Sequence, residues 1–339
     1  MSRDGDVFLS ALTSFILILV VAGLGFAGGE TNGSRLILGV ILPYAAIVVF
    51  LTGIVYRVVK WADSPVPFHI PTTCGQQKTL PWIKSSWIES PHSKLGVTVR
   101  MALEILLFRS LFRNSKAEIH REGPRLLYGE NKWLWLGALA FHWSLLIVLL
   151  RHLRFFVEPV PHFILGMDAV DGFFQLGAPQ LLVTDMLIIA ALLFLLLRRL
   201  TNPRVRYISL LSDYLALFLL LAIAISGVLI RYFFKVDIEG VKQLAIGLAT
   251  FSPTVPASLG ALFFLHLTLV SFLLAYFPYS KLVHMGGIFL SPTRNLANNS
   301  RMVRHVNPWN YPVKVHTYQE WEEEFHDKIK AAGLPLERE

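Results

Sequence analysis

The sequence predicts an all-α protein: a six-span transmembrane helical bundle with a cytoplasmic segment carrying an amphipathic helix, and a cytoplasmic C-terminal tail. Three observations predict it. Of 339 residues, 54% are hydrophobic and only 16% charged, a balance foreign to soluble domains. Six stretches stay apolar over the roughly 20 residues a helix needs to cross hydrocarbon. The Lys and Arg residues behind the net charge of +8 gather between alternate stretches, as they do in cytoplasmic loops.

The expected spans are Val7–Ala27, Leu36–Val59, Trp133–Phe156, Leu181–Leu197, Tyr207–Phe234 and Ala257–Leu282. Each must be helical, because lipid offers backbone polar groups no other partner. Arg3 ahead of the first run resembles the start of a secretory leader. The run is too long for a leader core and lacks a small-x-small cleavage site, so a retained helix is expected.

Loop charge sets direction. The segment Lys60–Lys132 carries 11 Lys and Arg residues, and Arg198, Arg199, Arg204 and Arg206 crowd the fourth-to-fifth connection. Glu158–Gln180 has no Lys or Arg but holds Glu158, Asp168 and Asp171. The positive-inside bias therefore places both termini in the cytoplasm of a cytoplasmic-membrane protein. The chain divides into residues 1–59 (two N-terminal spans), 60–132 (cytoplasmic segment), 133–290 (four-helix core) and 291–339 (tail).

Within the cytoplasmic segment, Pro65, Pro67, Pro71, Pro81 and Pro91 mark an ordered loop. From Lys94 to Asn114 the pattern turns helical. Arg100 and Glu104, then Arg109 and Arg113, recur at four-residue spacing, with Leu95, Val99, Leu103, Leu106 and Leu107 on an apolar side. That pattern suits a helix in the membrane interface or against a partner, and equally a cap on the bundle. The tail contains a short helix at Gln319–Ala331.

No basic stripe with interleaved aromatics forms a separate domain, which excludes nucleic acid as a partner. The lone Cys74 closes no intrachain disulfide and cannot ligate an iron–sulfur cluster alone. Any metal chemistry rests on histidine. Of 11 histidines, four fall in or at the end of spans: His142 and His152 on the third, His266 and His284 on the last. Ionisable groups there mark cofactors, relays or pathways. The third span runs outward and the last inward, so His142 and His284 share the inner level, His152 and His266 the outer. Facing helices thus offer two imidazole pairs, each suited to clasp a haem iron from opposite sides.

The spacing fits imperfectly. His142 and His152 lie about 15 Å apart along a helix, His266 and His284 about 27 Å, and a kink at Pro278 is expected to absorb the difference. Polar interhelical contacts or a proton relay remain alternatives for the four. A transporter is disfavoured, because the only span carboxylates are Asp185 and Asp213, near span ends. Arg151, Arg154 and Arg231 lie at the outer level, where they either pair with haem propionates or snorkel to headgroups.

The pieces FHWSLLIVLLRH and HLTLVSFLLAYFPYSKLVH, which carry these histidines, resemble the gamma subunit family of respiratory nitrate reductase, the membrane cytochrome b. That resemblance implies two bis-histidine b haems, His142 with His284 and His152 with His266, and quinol reacting near the outer one. IPTTCGQQKTLPWIK (Ile70–Lys84) and NPWNYPVKVHTY (Asn307–Tyr318) resemble the DsrM family, membrane subunits of the Dsr complex of dissimilatory sulfur metabolism. This second resemblance implies a cytoplasmic iron–sulfur partner of the DsrK kind, related to heterodisulfide reductase and exchanging electrons with DsrC. It also implies further membrane and outer-face subunits. The motif around Cys74 is read as a docking surface that includes Lys78 and Lys84.

Electrons are expected to pass between quinone, taken as menaquinone, and the partner through both haems. Position alone selects His162, Asp168 and Asp171 for quinone contact. No residue is assigned to bond-making catalysis, and the direction of flow is not fixed by the residues. Alternatives are the b subunit of a nitrate or heterodisulfide reductase, or a haem-free anchor or proton-relay subunit.

Overall fold

The computed structural model describes residues 3–63, 86–113, 116–120, 125–129, 131–172, 180–298 and 316–337. The Cys74 motif with Lys78 and Lys84, and most of the Asn307–Tyr318 motif, lie outside the described residues. Helix α1 is Arg3–Gly29, and α2 is Asn32–Ala62 with a π turn at Ile37–Ile41. Helix α3 (Lys94–Leu107) and a short turn α4 (Arg109–Phe112) precede a two-stranded antiparallel ribbon, β1 (Lys116–His120) and β2 (Arg125–Gly129). Then follow α5, Lys132–His152, and α6, His162–Asp171. Helix α7 is Val183–Thr201 and α8 is Leu211–Val228, extended by a π turn at Leu229–Phe233. Helices α9 (Ile238–Ala249), α10 (Ala261–Tyr276), α11 (His284–Leu290) and α12 (Tyr318–Ala331) complete the main elements.

Among the described residues, five helices are long and apolar enough to cross a membrane: Val7–Gly29, Asn32–Ala62, Lys132–Phe155, Leu211–Phe233 and Ala261–Tyr279. They match five of the expected spans. The expected fourth span is the 19-residue α7, which is less uniformly apolar because Asp185 sits in its first turn and Arg198 and Arg199 in its last. Leu19, Leu24, Leu51 and Val55 are more than half exposed, as lipid-facing side chains are.

Helix α1 packs between α8 and α10, α2 lies against α10, and α7 joins α5 to α8. Ile18, Leu215, Leu219 and Leu269 form the core where α1, α8 and α10 meet. Phe141, Ile188, Ala191 and Leu192 form that between α5 and α7. The α1–α10 approach depends on two glycines four residues apart. A Cβ on Gly25 would stand 2.9 Å from the Leu265 Cα, and one on Gly29 2.7 Å from the Ala261 Cα. Small residues at this spacing let membrane helices touch backbone to backbone, where packing rather than hydrophobicity drives association.

Helix α3 inverts the usual burial of an amphipathic helix. Its charged side is buried, with Arg100 1% and Glu104 7% exposed, whereas Leu95 is 68% exposed. Arg100 donates to the Glu89 carbonyl at 3.2 Å and to the Arg294 carbonyl. Glu104 accepts from the Ser110 amide at 3.1 Å and from Arg294 at 3.2 Å. Glu89 in turn holds Arg109 at 2.5 Å and Arg113 at 2.8 Å. The four-residue spacing of the charges therefore reports a buried network tying α3 to the segment after α11. The helix ends at Phe108, which takes the left-handed conformation (φ 49°) and donates its amide to the Glu104 carbonyl at 3.2 Å, an αL cap usually given to glycine. The indoles of Trp135 and Trp143 donate to the carbonyls of Leu107 and Leu106 at 2.6 and 3.0 Å, fastening this end to α5.

The last span is not one continuous helix. Helix α10 ends at Tyr276, and two 3₁₀ turns, Phe277–Tyr279 and Lys281–Val283, lead to His284 at the start of α11. Pro278 lies in the first turn, buried against Gly53 of α2. The tail helix matches the expected one and starts with a capping box, Thr317 accepting from the Glu320 amide at 3.3 Å and Glu320 from the Thr317 amide at 2.9 Å.

Candidate haem-binding and quinone-facing site

The break at Pro278 brings His284 to the level of His142, with ring centroids 5.9 Å apart and planes at 86°. Metal–imidazole bonds of about 2 Å on each side put ring centroids about 6 Å apart. At the other end, His152 and His266 lie within electrostatic reach of each other. Helix α5 supplies one member of each pair, His142 near its middle and His152 at its end.

Hydrogen bonding decides which nitrogen each ring presents. His142 Nδ1–H donates to the Ala138 carbonyl at 2.7 Å, His152 Nδ1–H to Val148 at 2.7 Å and His284 Nδ1–H to Lys281 at 2.8 Å. A carbonyl only accepts, so these three rings carry the proton on Nδ1 and keep the Nε2 lone pair. His266 makes its Nδ1 contact with Ser226 Oγ at 2.8 Å, and that hydroxyl donates to the Ile223 carbonyl at 3.0 Å. The hydroxyl proton is thus engaged, and His266 Nδ1–H is the donor. This is the donor set of ligating histidine, one nitrogen fixed by an outer partner and the other offered to metal. The residues fit haem iron. Aromatic rings pack around the inner pair: Phe108 and Phe141 each lie edge-on to His142, centroids 4.9 Å away.

Around the C-terminal end of α5 the arginines and carboxylates form one network. Arg151 donates to Asp171 at 2.5 Å, to Thr184 Oγ1 at 2.9 Å and to Asp185 at 3.1 Å. Asp171 also accepts from the Thr184 amide at 2.9 Å and the Thr184 hydroxyl at 2.5 Å. Asp185 accepts from the Tyr232 hydroxyl at 2.9 Å, which itself accepts from the Leu182 amide at 2.9 Å. Arg154 pairs with Asp168. Arg231 approaches Asp185 only to 3.8 Å, and its buried Nε has no hydrogen-bond partner. Three arginines thus meet three aspartates, with Arg231 the least engaged. That Arg151 and Arg154 flank His152 is evident from the sequence. Their pairing with Asp168 and Asp171 of α6 and Asp185 of α7 has no local signal in the sequence.

A cavity of about 670 Å³ opens beside this network, lined by Ile147, Phe163, Gly166, Met167, Val170, Asp171 and Val183. It is apolar apart from Asp171. Of the three residues chosen by position for quinone contact, Asp171 is on its wall; Asp168 faces Arg154 and His162 is exposed at the first residue of α6. Among the described residues no cluster of three or more His, Cys, Asp or Glu side chains is placed to hold a metal ion, so the candidate ligands are histidines in pairs.

Apolar helices of membrane-spanning length that bring His142 of one helix against His284 from beyond another define a membrane protein of cytochrome b-like type. Residues 97–306 match the family described as nitrate reductase gamma subunit, and the chain belongs to that family. It is 46% identical over 280 residues to the Hdr-like menaquinol oxidoreductase cytochrome b-like subunit of Archaeoglobus fulgidus, covering 80% of this chain and 83% of the relative. The protein of the same name from Archaeoglobus profundus is 43% identical over 275 residues, 79% of this chain and 81% of the relative. More distantly, a subunit of the dihydromethanophenazine:CoB–CoM heterodisulfide reductase from Methanosarcina acetivorans is 27% identical over 81% of this chain and 97% of the relative. Family and helices together make the chain an integral membrane protein.

Proposed function

We propose that the chain is the dihaem b subunit of a menaquinol oxidoreductase complex, exchanging electrons between quinone on the outer side and a cytoplasmic iron–sulfur subunit. The observation that carries this reading is the set of four imidazoles, each with Nδ1 engaged and Nε2 free. His142 and His284 hold the inner haem, and His152 and His266 the outer. Haem b supplies one-electron transfer when bound, and two in series carry charge across the bilayer. All six predicted spans cross, α7 included, with both termini in the cytoplasm of a cytoplasmic-membrane protein. Helix α3 lies in the inner interface with its apolar side toward lipid.

The chain's own groups do the rest. The apolar cavity beside Asp171 excludes water from a quinone ring, and the Asp171 carboxylate, fixed by Arg151 and Thr184, orients a quinol hydroxyl. Asp168 and His162 line the way toward the outer surface. Arg231, with its unsatisfied Nε, is the arginine best placed to meet a haem propionate; Arg151 and Arg154 are held by carboxylates. The partner is assigned to the DsrK kind, and the chain to the DsrM role in dissimilatory sulfur metabolism. Support comes from the Ile70–Lys84 and Asn307–Tyr318 motifs and from the names of the relatives, which join menaquinol oxidation to heterodisulfide reductase-like assemblies.

The test is reduction of the b-type absorbance by a menaquinol analogue in membranes holding the intact complex. Wild type reduces both centres. His152→Leu abolishes reduction by quinol while dithionite still reduces the inner centre. Unchanged quinol reduction in that variant would overturn the assignment of the outer pair. The cofactor of the copurifying subunit, iron–sulfur clusters alone or molybdenum as well, separates this reading from a nitrate reductase.

A further inference from the structure

Three of the four histidines tie Nδ1 to a carbonyl of their own chain three or four residues earlier. His266 differs. Its partners lie on another helix: the Ser226 hydroxyl of α8, 3% exposed and 2.8 Å away, and the Ile223 carbonyl of the same turn. That hydroxyl also donates to the Ile223 carbonyl at 3.0 Å, and donating its own proton strengthens it as an acceptor for the ring. The next residue is Gly227, where a Cβ would touch His266 Cε1 at 3.4 Å. Two residues later the helix widens into the π turn Leu229–Phe233, a local change of register of the kind found at functional sites. Polar hydroxyl, missing side chain and widened turn thus coincide on the one stretch of α8 that faces this ring.

We propose that Ser226 is a positioning residue for His266: it fixes the ring's tautomer and plane from a neighbouring helix, and so tunes the reduction potential of the outer haem alone. This rests on the reading of His266 as an iron ligand. Partial transfer of the Nδ1 proton toward an acceptor makes Nε2 a better donor and favours the oxidised metal. Without the acceptor, that stabilisation falls and the potential rises.

The experiment is a redox titration of both b centres, with low-temperature electron paramagnetic resonance, in membranes carrying the full complex. Ser226→Ala is expected to raise one midpoint by a three- to tenfold change in its one-electron equilibrium, tenfold being about 59 mV. It also changes one low-spin signal and leaves the other centre as in wild type. Ser226→Thr, which returns the hydroxyl, restores both readouts. Ser226→Cys, close in size but a poorer acceptor, falls between and serves where the alanine variant does not accumulate. Two haems with no shift, a downward shift, or equal shifts in both centres would overturn the proposal. Absence of haem from wild type would instead overturn the ligand reading beneath it.

Discussion

Replacing Arg151 with glutamine removes the one guanidinium that joins Asp171 to Asp185. All three side chains are at most 10% exposed, so solvent does little to screen the change. Breaking a buried pair by deleting one partner costs about 3–5 kcal/mol, because the remaining charge is left uncompensated. Here both carboxylates keep other donors: Thr184 on Asp171, and Tyr232 with the more distant Arg231 on Asp185. That places the loss at the lower end, about 3 kcal/mol, roughly a hundredfold in the unfolding equilibrium at 1.4 kcal/mol per decade. The assay is denaturant titration of the purified chain in detergent micelles, followed by tryptophan fluorescence. The double variant Arg151→Gln/Asp171→Asn removes opposite charges together, and should lose less than the two single variants summed by about 1–3 kcal/mol. An Arg151→Gln chain within about 0.5 kcal/mol of wild type, or singles that simply add, would refute the network as a buried, coupled unit.

Other consequences are narrower. Gly29→Val places side-chain atoms where the Ala261 backbone already lies, since even a Cβ would stand 2.7 Å from its Cα; thermal melts should show a lower transition and haem content should fall. Lys281→Ala removes one of two cations near Asp213, which also keeps Arg199 at 3.5 Å and the Leu210 amide at 3.0 Å. With the lysine side chain 66% exposed, the stability change should stay below about 1 kcal/mol in the same titration. Phe108→Ala withdraws a ring from the edge of His142 while keeping the backbone N–H that caps α3, and should alter the spectrum of the inner centre while leaving quinol reduction of the outer one intact.

Five of the six expected spans were legible because length and hydropathy suffice for helices in lipid, where no other backbone arrangement is stable. The approach of His142 to His284 was legible for a related reason: ionisable residues stand out against apolar runs, and their spacing along two helices is arithmetic. The mismatch between ten- and eighteen-residue spacings pointed to Pro278, but not to two 3₁₀ turns that end the helix altogether. The β1–β2 ribbon was not foreseen, because Lys116–Gly129 shows no apolar alternation strong enough to mark strands. Amphipathicity of α3 was seen, yet which side is buried depends on Glu89, ahead of the helix, and on Arg294, far along the chain. Ser226 gave no local signal. Serine in a span is common interhelical glue, and only the approach of α8 to α10 sets it against His266. Thr184 and Tyr232 were missed likewise, since their roles exist only once Asp171 and Asp185 converge on Arg151.

Whether the four histidines hold two haems is decided by haem content per polypeptide, by pyridine haemochrome on the purified membrane protein made with haem available. Two b haems are expected in wild type, one in His284→Leu and one in His266→Leu. A haem-free wild-type protein, or one whose haem content is indifferent to those substitutions, would contradict the dihaem reading.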